Sequence, residues 1–368
     1  MKAKNYKIAF VLGTRPEIIK MAPVIKLCIL HKLSFFVIHT GQHYSFEMDQ
    51  LIFSDLELPN PKYNLEVGSG SHGAQTGKML EKIEEIILKE KPDILLVQGD
   101  TNSVLGGALA SVKHHIKVGH IEAGLRSYDR DMPEEINRIV VDHISDYLYV
   151  PTEETKRNLE KEGIDSKKII ITGNTIVDSV LQNVQIAQHK SDILKKLNLL
   201  HQKYFLLTLH RAENTDSKKR LTEIMKGLNL VIKKYNIPMI WPIHPRTKSK
   251  LIEYGMLEKL QDMTMLSMID PTGFLDTLIL ESNAVLILTD SGGIQEEACI
   301  LKVPCVTLRD NTERPESVAV GANFIAGANA LTIYNAVSEM IVKTRDWENP
   351  FGDGTSSAKI LDTLKNLN

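Results

Sequence analysis

The chain reads as an α/β protein made of two doubly wound parallel-sheet domains. Three observations point there. Short apolar runs alternate with longer amphipathic stretches, the pattern of buried strands joined by crossover helices. The alternation pauses near residue 173 and begins again near residue 204. The 368 residues match two domains of ordinary size.

In the first half the apolar runs span residues 7–12, 34–40, 93–98, 118–122 and 147–150. Flanking Gly and Pro favour strands over helix fragments. A run at 169–174 and a long Gln-rich helical stretch follow, so the expected domains are 1–173 and 174–350. The second half repeats the pattern with runs at 204–209, 239–243, 284–289 and 304–308, separated by helical segments such as 218–236. A turn-rich stretch at 349–354 then precedes a helix at about 357–367. The halves open alike. Leu12 leads to Thr14-Arg15-Pro16-Glu17 and Leu209 to His210-Arg211-Ala212-Glu213, each placing a cation just past a strand's carboxyl end. Ligands of open α/β sheets bind at that edge, so two such domains facing each other would line a central cleft.

Composition narrows the function. With 44 Lys and Arg against 46 Asp and Glu, the net charge of -2 offers no basic excess for nucleic acid. Three cysteines, Cys28, Cys299 and Cys305, have no metal-ligand spacing and suit core thiols in a reducing compartment. The apolar run at 8–12 is too short for a signal peptide, and nowhere do enough apolar residues run together for a membrane span, so a cytoplasmic location is expected. No G-x-G-x-x-G follows the first strand, which argues against a dinucleotide-binding domain.

Five stretches could carry chemistry. In Gly13-Thr14-Arg15-Pro16-Glu17-Ile18-Ile19-Lys20, Pro16 suits a first helical turn, which puts Arg15 beside free backbone N–H groups and, with Lys20 in the same eight residues, makes an anion site. The alternative is a surface pair of Arg15 with Glu17. Asp100, Glu122 and Glu134 lie at strand ends or just beyond, where a carboxylate is costly unless paired. They either converge for proton transfer, with Gly99 and Gly124 allowing close approach, or each caps a helix or binds an arginine. Arg126 and Arg138 are the expected partners, and Glu135 reads as a solvated helix residue. His210 follows a strand beside Arg211 and can change protonation near neutral pH; His244 has the same placement in weaker company. In Thr289-Asp290-Ser291-Gly292-Gly293-Ile294-Gln295-Glu296-Glu297 a strand ends, two glycines turn the chain and a helix begins, a geometry that cradles phosphate. Glu297, one turn on, could accept ribose hydroxyls, and Arg309, Arg314 and Glu316 could seal the site.

Taken together these residues resemble the non-hydrolysing UDP-N-acetylglucosamine 2-epimerase family. GTRPEIIK, GQHY, QGDT, HIEAGLRS, PEEINR, HRAEN, TDSGGIQEEA and RDNTERPE appear in the family's order along nearly the whole chain. The resemblance implies a GT-B-like fold and an isomerase that interconverts UDP-N-acetylglucosamine and UDP-N-acetylmannosamine by eliminating UDP to a 2-acetamidoglucal and adding it back. It implies Asp100, Glu122, Glu134 and His210 in proton transfer, Arg15, Lys20 and His244 near the nucleotide, Ser291, Gly292 and Gly293 on the diphosphate, Glu297 on the ribose and Arg314 closing the pocket. It also implies a final helix crossing back to the first domain, a homodimer, and no membrane or nucleic-acid partner. Such chemistry needs neither metal nor redox cofactor, because a diphosphate stabilised by cations is a good leaving group. Many relatives have a Gln and a Phe where Thr272 and Thr277 stand here. Bacterial relatives are activated by a second UDP-N-acetylglucosamine through the segment matching Gln42 and His43.

Overall fold

A computed structural model describes residues 6–41, 46–201 and 203–365. Gln42 and His43 lie outside these residues. The chain divides into two compact units, 1–179 with 351–368, and 180–350.

Among the described residues the first unit holds seven strands: β1 (Lys7–Leu12), β2 (Ser34–His39), β3 (Tyr63–Asn64), β4 (Ile94–Gln98), β5 (Lys117–Ile121), β6 (Tyr147–Val150) and β7 (Ile169–Ile171). They form one parallel sheet in the order β3-β2-β1-β4-β5-β6-β7. Central β4 is buried along its whole length, and β1 is buried from Ile8 onward, so both read as unbroken apolar runs rather than alternating ones. Ala9, Val11, Leu95 and Val97 pack with Met79, Ile83, Val104 and Ala108 from helices on the sheet's face.

The helix Ser356–Lys365 completes this unit and packs on the helix Arg15–Leu30. The Tyr149 hydroxyl meets Thr363 Oγ1 at 2.7 Å. Buried Asp178 accepts the N–H groups of Ser356 and Ser357 at 3.2 and 2.9 Å, and Asn174 N donates to Phe351 O at 2.8 Å. At Gly173, φ is +87° and a Cβ would come within 2.8 Å of Ser356 Oγ, so only glycine fits there.

The second unit has six strands: β8 (Phe205–Thr208), β9 (Met239–Pro242), β10 (Leu266–Ile269), β11 (Leu286–Thr289), β12 (Cys305–Thr307) and β13 (Asn323–Ile325). All pair in parallel, in the order β10-β9-β8-β11-β12-β13. The core runs from Phe205, Leu207, Trp241 and Leu288 to Leu228, Val231 and Ile333. The two sheets therefore share one winding. In each, the first strand has its successor on one side and the fourth strand on the other, so a crevice opens at β1/β4 and at β8/β11.

Strands β3, β10 and β13, two to four residues long, were not foreseen. They lie at or next to sheet edges, where half-exposed backbone demands no apolar run. Cys28, Cys299 and Cys305 are buried, and burial pushes the Cys28 and Cys299 thiols up to about 12. Among the described residues no helix is long and apolar enough to cross a membrane.

Candidate active site

At the β1/β4 crevice the sequence Thr14-Arg15-Pro16-Glu17 folds as a capping box. Glu17 Oε2 accepts the N–H groups of Gly13 and Thr14 at 2.7 and 2.6 Å, while Oε1 accepts the Thr101 hydroxyl at 2.6 Å. One buried carboxylate thus ties the loop after β1 to the loop after β4. Burial, with no cation in contact, pushes Glu17 up to about 7 despite those donors. Arg15 stands exposed at the first position of the helix.

Asp100 follows β4 through Gly99, whose φ of +82° is left-handed. Its Oδ2 takes both Arg138 Nε at 2.9 Å and Arg138 Nη2 at 2.6 Å. Glu122 follows β5 with φ +70° and is 7% exposed. Lys20 Nζ lies 2.8 and 2.7 Å from its two oxygens, Gln98 Nε2 donates to Oε2, and Asn174 Nδ2 reaches Oε1 at 3.5 Å. The two strand-end acids, Glu122 buried and Asp100 half-buried, are thus each matched by a cation, which offsets the cost of desolvation. Glu134, half-buried in the first turn of the helix Pro133–Ile144, has no ion pair among the described residues.

In the second unit the corresponding tie runs the other way. Asp290, after β11, is fully buried and accepts His210 N, Arg211 N and Asn214 Nδ2 at 3.0, 2.9 and 3.2 Å. His210 Nδ1 lies 3.3 Å from Asp290 Oδ1. Burial would raise this carboxyl, but the His210 contact and the backbone donors hold it below the usual carboxylate range. His244 caps the helix Pro245–Glu253, its Nδ1 accepting Arg246 N at 3.2 Å, so the ring proton sits on Nε2. Burial, then the neighbouring His210 and Arg246, keep His244 below its ordinary value and neutral. The two imidazoles stand 5.9 Å apart at 39°.

Ser291, Gly292 and Gly293 open the helix Gly292–Ile300, and the Ser291 side chain does not cap it. A Cβ on Gly293 would meet nothing closer than 3.9 Å, and neither glycine has positive φ. Among the described residues neither a close contact nor a positive φ requires glycine here. Glu297 is half-buried in the same helix, and Arg314 Nε pairs with Glu296 at 2.7 Å.

A family model described as UDP-N-acetylglucosamine 2-epimerase matches residues 30–365. The chain belongs to that family. The UDP-N-acetylglucosamine 2-epimerase of Methanocaldococcus jannaschii is 55% identical over 360 residues, covering 97% of this chain and 98% of the relative. That of Methanococcus maripaludis is 55% identical over 361 residues, covering 98% of each. A crystal structure of the Methanocaldococcus jannaschii epimerase in complex with UDP-GlcNAc and UDP matches 98% of this chain and 100% of that one, with a TM-score of 0.86 and 55% identity.

Within this epimerase family member several expectations are corrected. Glu135 is not solvated: it is 1% exposed and accepts Ser127 N, Tyr128 N and Arg138 Nη1, which overcome burial and hold it below its ordinary value. Arg126 serves none of the three acids; it pairs with Asp142 and Glu162 at 2.7 Å each. Lys20 is engaged by Glu122. Arg309 is buried among Glu213, Glu313 and Asn311 and braces its own loop. Gly99 answers to backbone conformation, with φ of +82° and open space where a Cβ would stand, while Gly124, with φ of +79°, also permits a close approach, that of Thr155 O. Thr272 and Thr277 bond each other at 2.9 Å, and Phe274, the aromatic nearest them in sequence, is buried. The roles of Glu17 and Asp290 went unforeseen. The T-x-x-E spacing announces the first; no local signal announces the second, because its donors lie about eighty residues earlier.

Proposed function

We propose that this protein is a non-hydrolysing UDP-N-acetylglucosamine 2-epimerase, interconverting UDP-N-acetylglucosamine and UDP-N-acetylmannosamine. The observation that carries the reading is the division of chemistry between the two crevices: Asp100 and Glu122 just past β4 and β5, with Glu134 at the start of the helix that follows, and a helix start with bare glycines beside β11.

Ser291, Gly292 and Gly293 bind the diphosphate through backbone N–H groups at the positive end of a helix. Glu297 accepts ribose hydroxyls; Arg15, His244 and Arg314 add donors around the nucleotide, and Lys20 acts through Glu122. A base among Asp100, Glu122 and Glu134 takes the C2 proton. The C1–O bond then breaks, its electron pair leaves with UDP, and a C1=C2 double bond forms in the 2-acetamidoglucal. UDP re-adds at C1 while a proton returns to C2 from the opposite face, which calls for a second acid/base group. His210, oriented by Asp290, supplies an imidazole that can exchange a proton as UDP departs. The same reading makes the enzyme a cytoplasmic homodimer supplying UDP-N-acetylmannosamine for polysaccharide synthesis.

Incubation with UDP-N-acetylglucosamine in heavy water tests it. Deuterium is expected at C2 of both epimers while the sugar remains on UDP. Free N-acetylmannosamine as the first product would make it a hydrolysing enzyme, transfer of the sugar to an acceptor would make it a glycosyltransferase, and UDP-sugar binding without exchange would make it a sensor.

A further inference from the structure

Between Asp100 and Glu122 lies a buried ion network outside the acid/base set. His120, on β5 and 1% exposed, has its Nδ1 2.7 Å from Asp142 Oδ1 and its Nε2 2.8 Å from the carbonyl of Gly99. Asp142, also 1% exposed, receives Gly124 N at 3.1 Å and Arg126 Nη1 at 2.7 Å on its other oxygen. Arg126 is in turn held by Glu162.

The hydrogen-bond inventory fixes the protonation of the ring. A backbone carbonyl only accepts, so Nε2 carries a proton. Asp142, opposed by Arg126, is ionised, and a bare Nδ1 at 2.7 Å from its oxygen would set two acceptors against each other. Both nitrogens are therefore protonated and His120 is an imidazolium. The charges facing it agree: burial alone would lower the ring, while Asp142, the Gly99 carbonyl and then Asp100 hold it above its ordinary value, and Asp142 is held below by His120 and Arg126 despite its own burial.

The placement gives this cation a task. Gly99 is the residue before Asp100, and its φ of +82° is a conformation that neighbours must hold. His120 is two residues before Glu122, whose φ of +70° costs energy for a non-glycine, and Gly124 is two residues after it. Asp142 therefore grips the Glu122 turn on both sides, through His120 and through Gly124 N, while His120 reaches across to the Asp100 loop. We propose that His120 is a positioning residue for the epimerisation: its buried imidazolium, anchored on Asp142, clamps the Gly99 carbonyl and sets Asp100 and the Glu122 turn relative to one another. This rests on the epimerase reading above.

The test uses H120Q, which keeps one donor and loses the charge. The expected result is a fall in kcat of about 10²-fold, the cost of a small misplacement of reacting groups, with KM and UDP affinity within about threefold of wild type. A scaffold role alone would lower UDP binding and turnover together in proportion to the unfolded fraction, and that result overturns the proposal, as does an unchanged kcat. Wild-type C2 exchange is measured beside it: no exchange overturns the epimerase reading and the proposal with it, whereas normal wild-type exchange with an equally active H120Q overturns the proposal alone. If H120Q does not fold, ring nitrogen NMR of the wild-type protein decides. Two protonated nitrogens on His120 at about pH 7 are expected, and a neutral tautomer there refutes the clamp.

Discussion

The two crevices, β1/β4 and β8/β11, are built on the same strand order and differ in how a buried carboxylate closes each one. Glu17 reaches from the β1 side to Thr101 with no cation in contact, and burial pushes it up to about 7. Asp290 reaches from the β11 side to the N–H groups of His210 and Arg211, with an imidazole beside it, and is held low. The glycines differ as well. Gly99 and Gly124 satisfy left-handed backbone, whereas among the described residues neither a close contact nor a positive φ requires Gly292 or Gly293. One topology thus supports two constructions: a tied frame around acids in the first unit, and an open helix start in the second, where we propose that the diphosphate binds.

The sharpest way to break this division is D100N. Loss of a positioned acid/base group lowers turnover by about 10²- to 10⁴-fold, and UDP affinity measured by calorimetry should stay as in wild type. Equal loss of UDP binding would mean that the first crevice is a binding site after all. Next, Gly293→Val, where a Cβ would meet nothing closer than 3.9 Å, should keep the melting temperature while weakening UDP binding by at least about tenfold. Unchanged UDP affinity would remove the second crevice's claim to the anion. Gly124→Ala should do the reverse. Its Cβ would stand 2.4 Å from Thr155 O at a φ of +79°, so denaturant unfolding should report a loss of about 2 kcal/mol or more.

The smallest effect concerns pH. A carboxyl raised in the folded state adds stability that is complete below its unfolded value and disappears as pH rises through its folded value. For Glu17 the window runs from 4.5 to about 7, so wild-type stability should decline across it and E17Q should flatten the decline. Asp290, lowered, contributes with the opposite sign. Its stability is present above the ordinary carboxylate value of 3.8 and lost as pH falls below it, and D290N should remove that acid-side loss.

Much of this was legible in the sequence because the information is local. The apolar runs of β1, β4, β8 and β11 are continuous since both faces of these strands are buried, and Gly-Gly before a helix reads as an open helix start wherever it occurs. Pairings across long separations were legible only in part. Arg138, expected as a partner for the acids, does hold Asp100 from 38 residues away, but the pairing of Lys20 with Glu122, 102 residues apart, left no local signal. Whether a cation serves a ligand or a neighbouring acid depends on which strands the fold makes adjacent. Glu135 misled for a related reason: its helix starts at the surface, and only the return of the loop carrying Ser127 and Tyr128 covers it.

The stitching of residues 351–365 onto the first unit sets an order of events. Tyr149, Asp178 and the helix Arg15–Leu30 wait for partners that a ribosome adds only after the whole of 180–350 has been made. The second unit can settle during synthesis from a contiguous stretch, while the frame that carries the acids stays unfinished until residues 351–365 emerge.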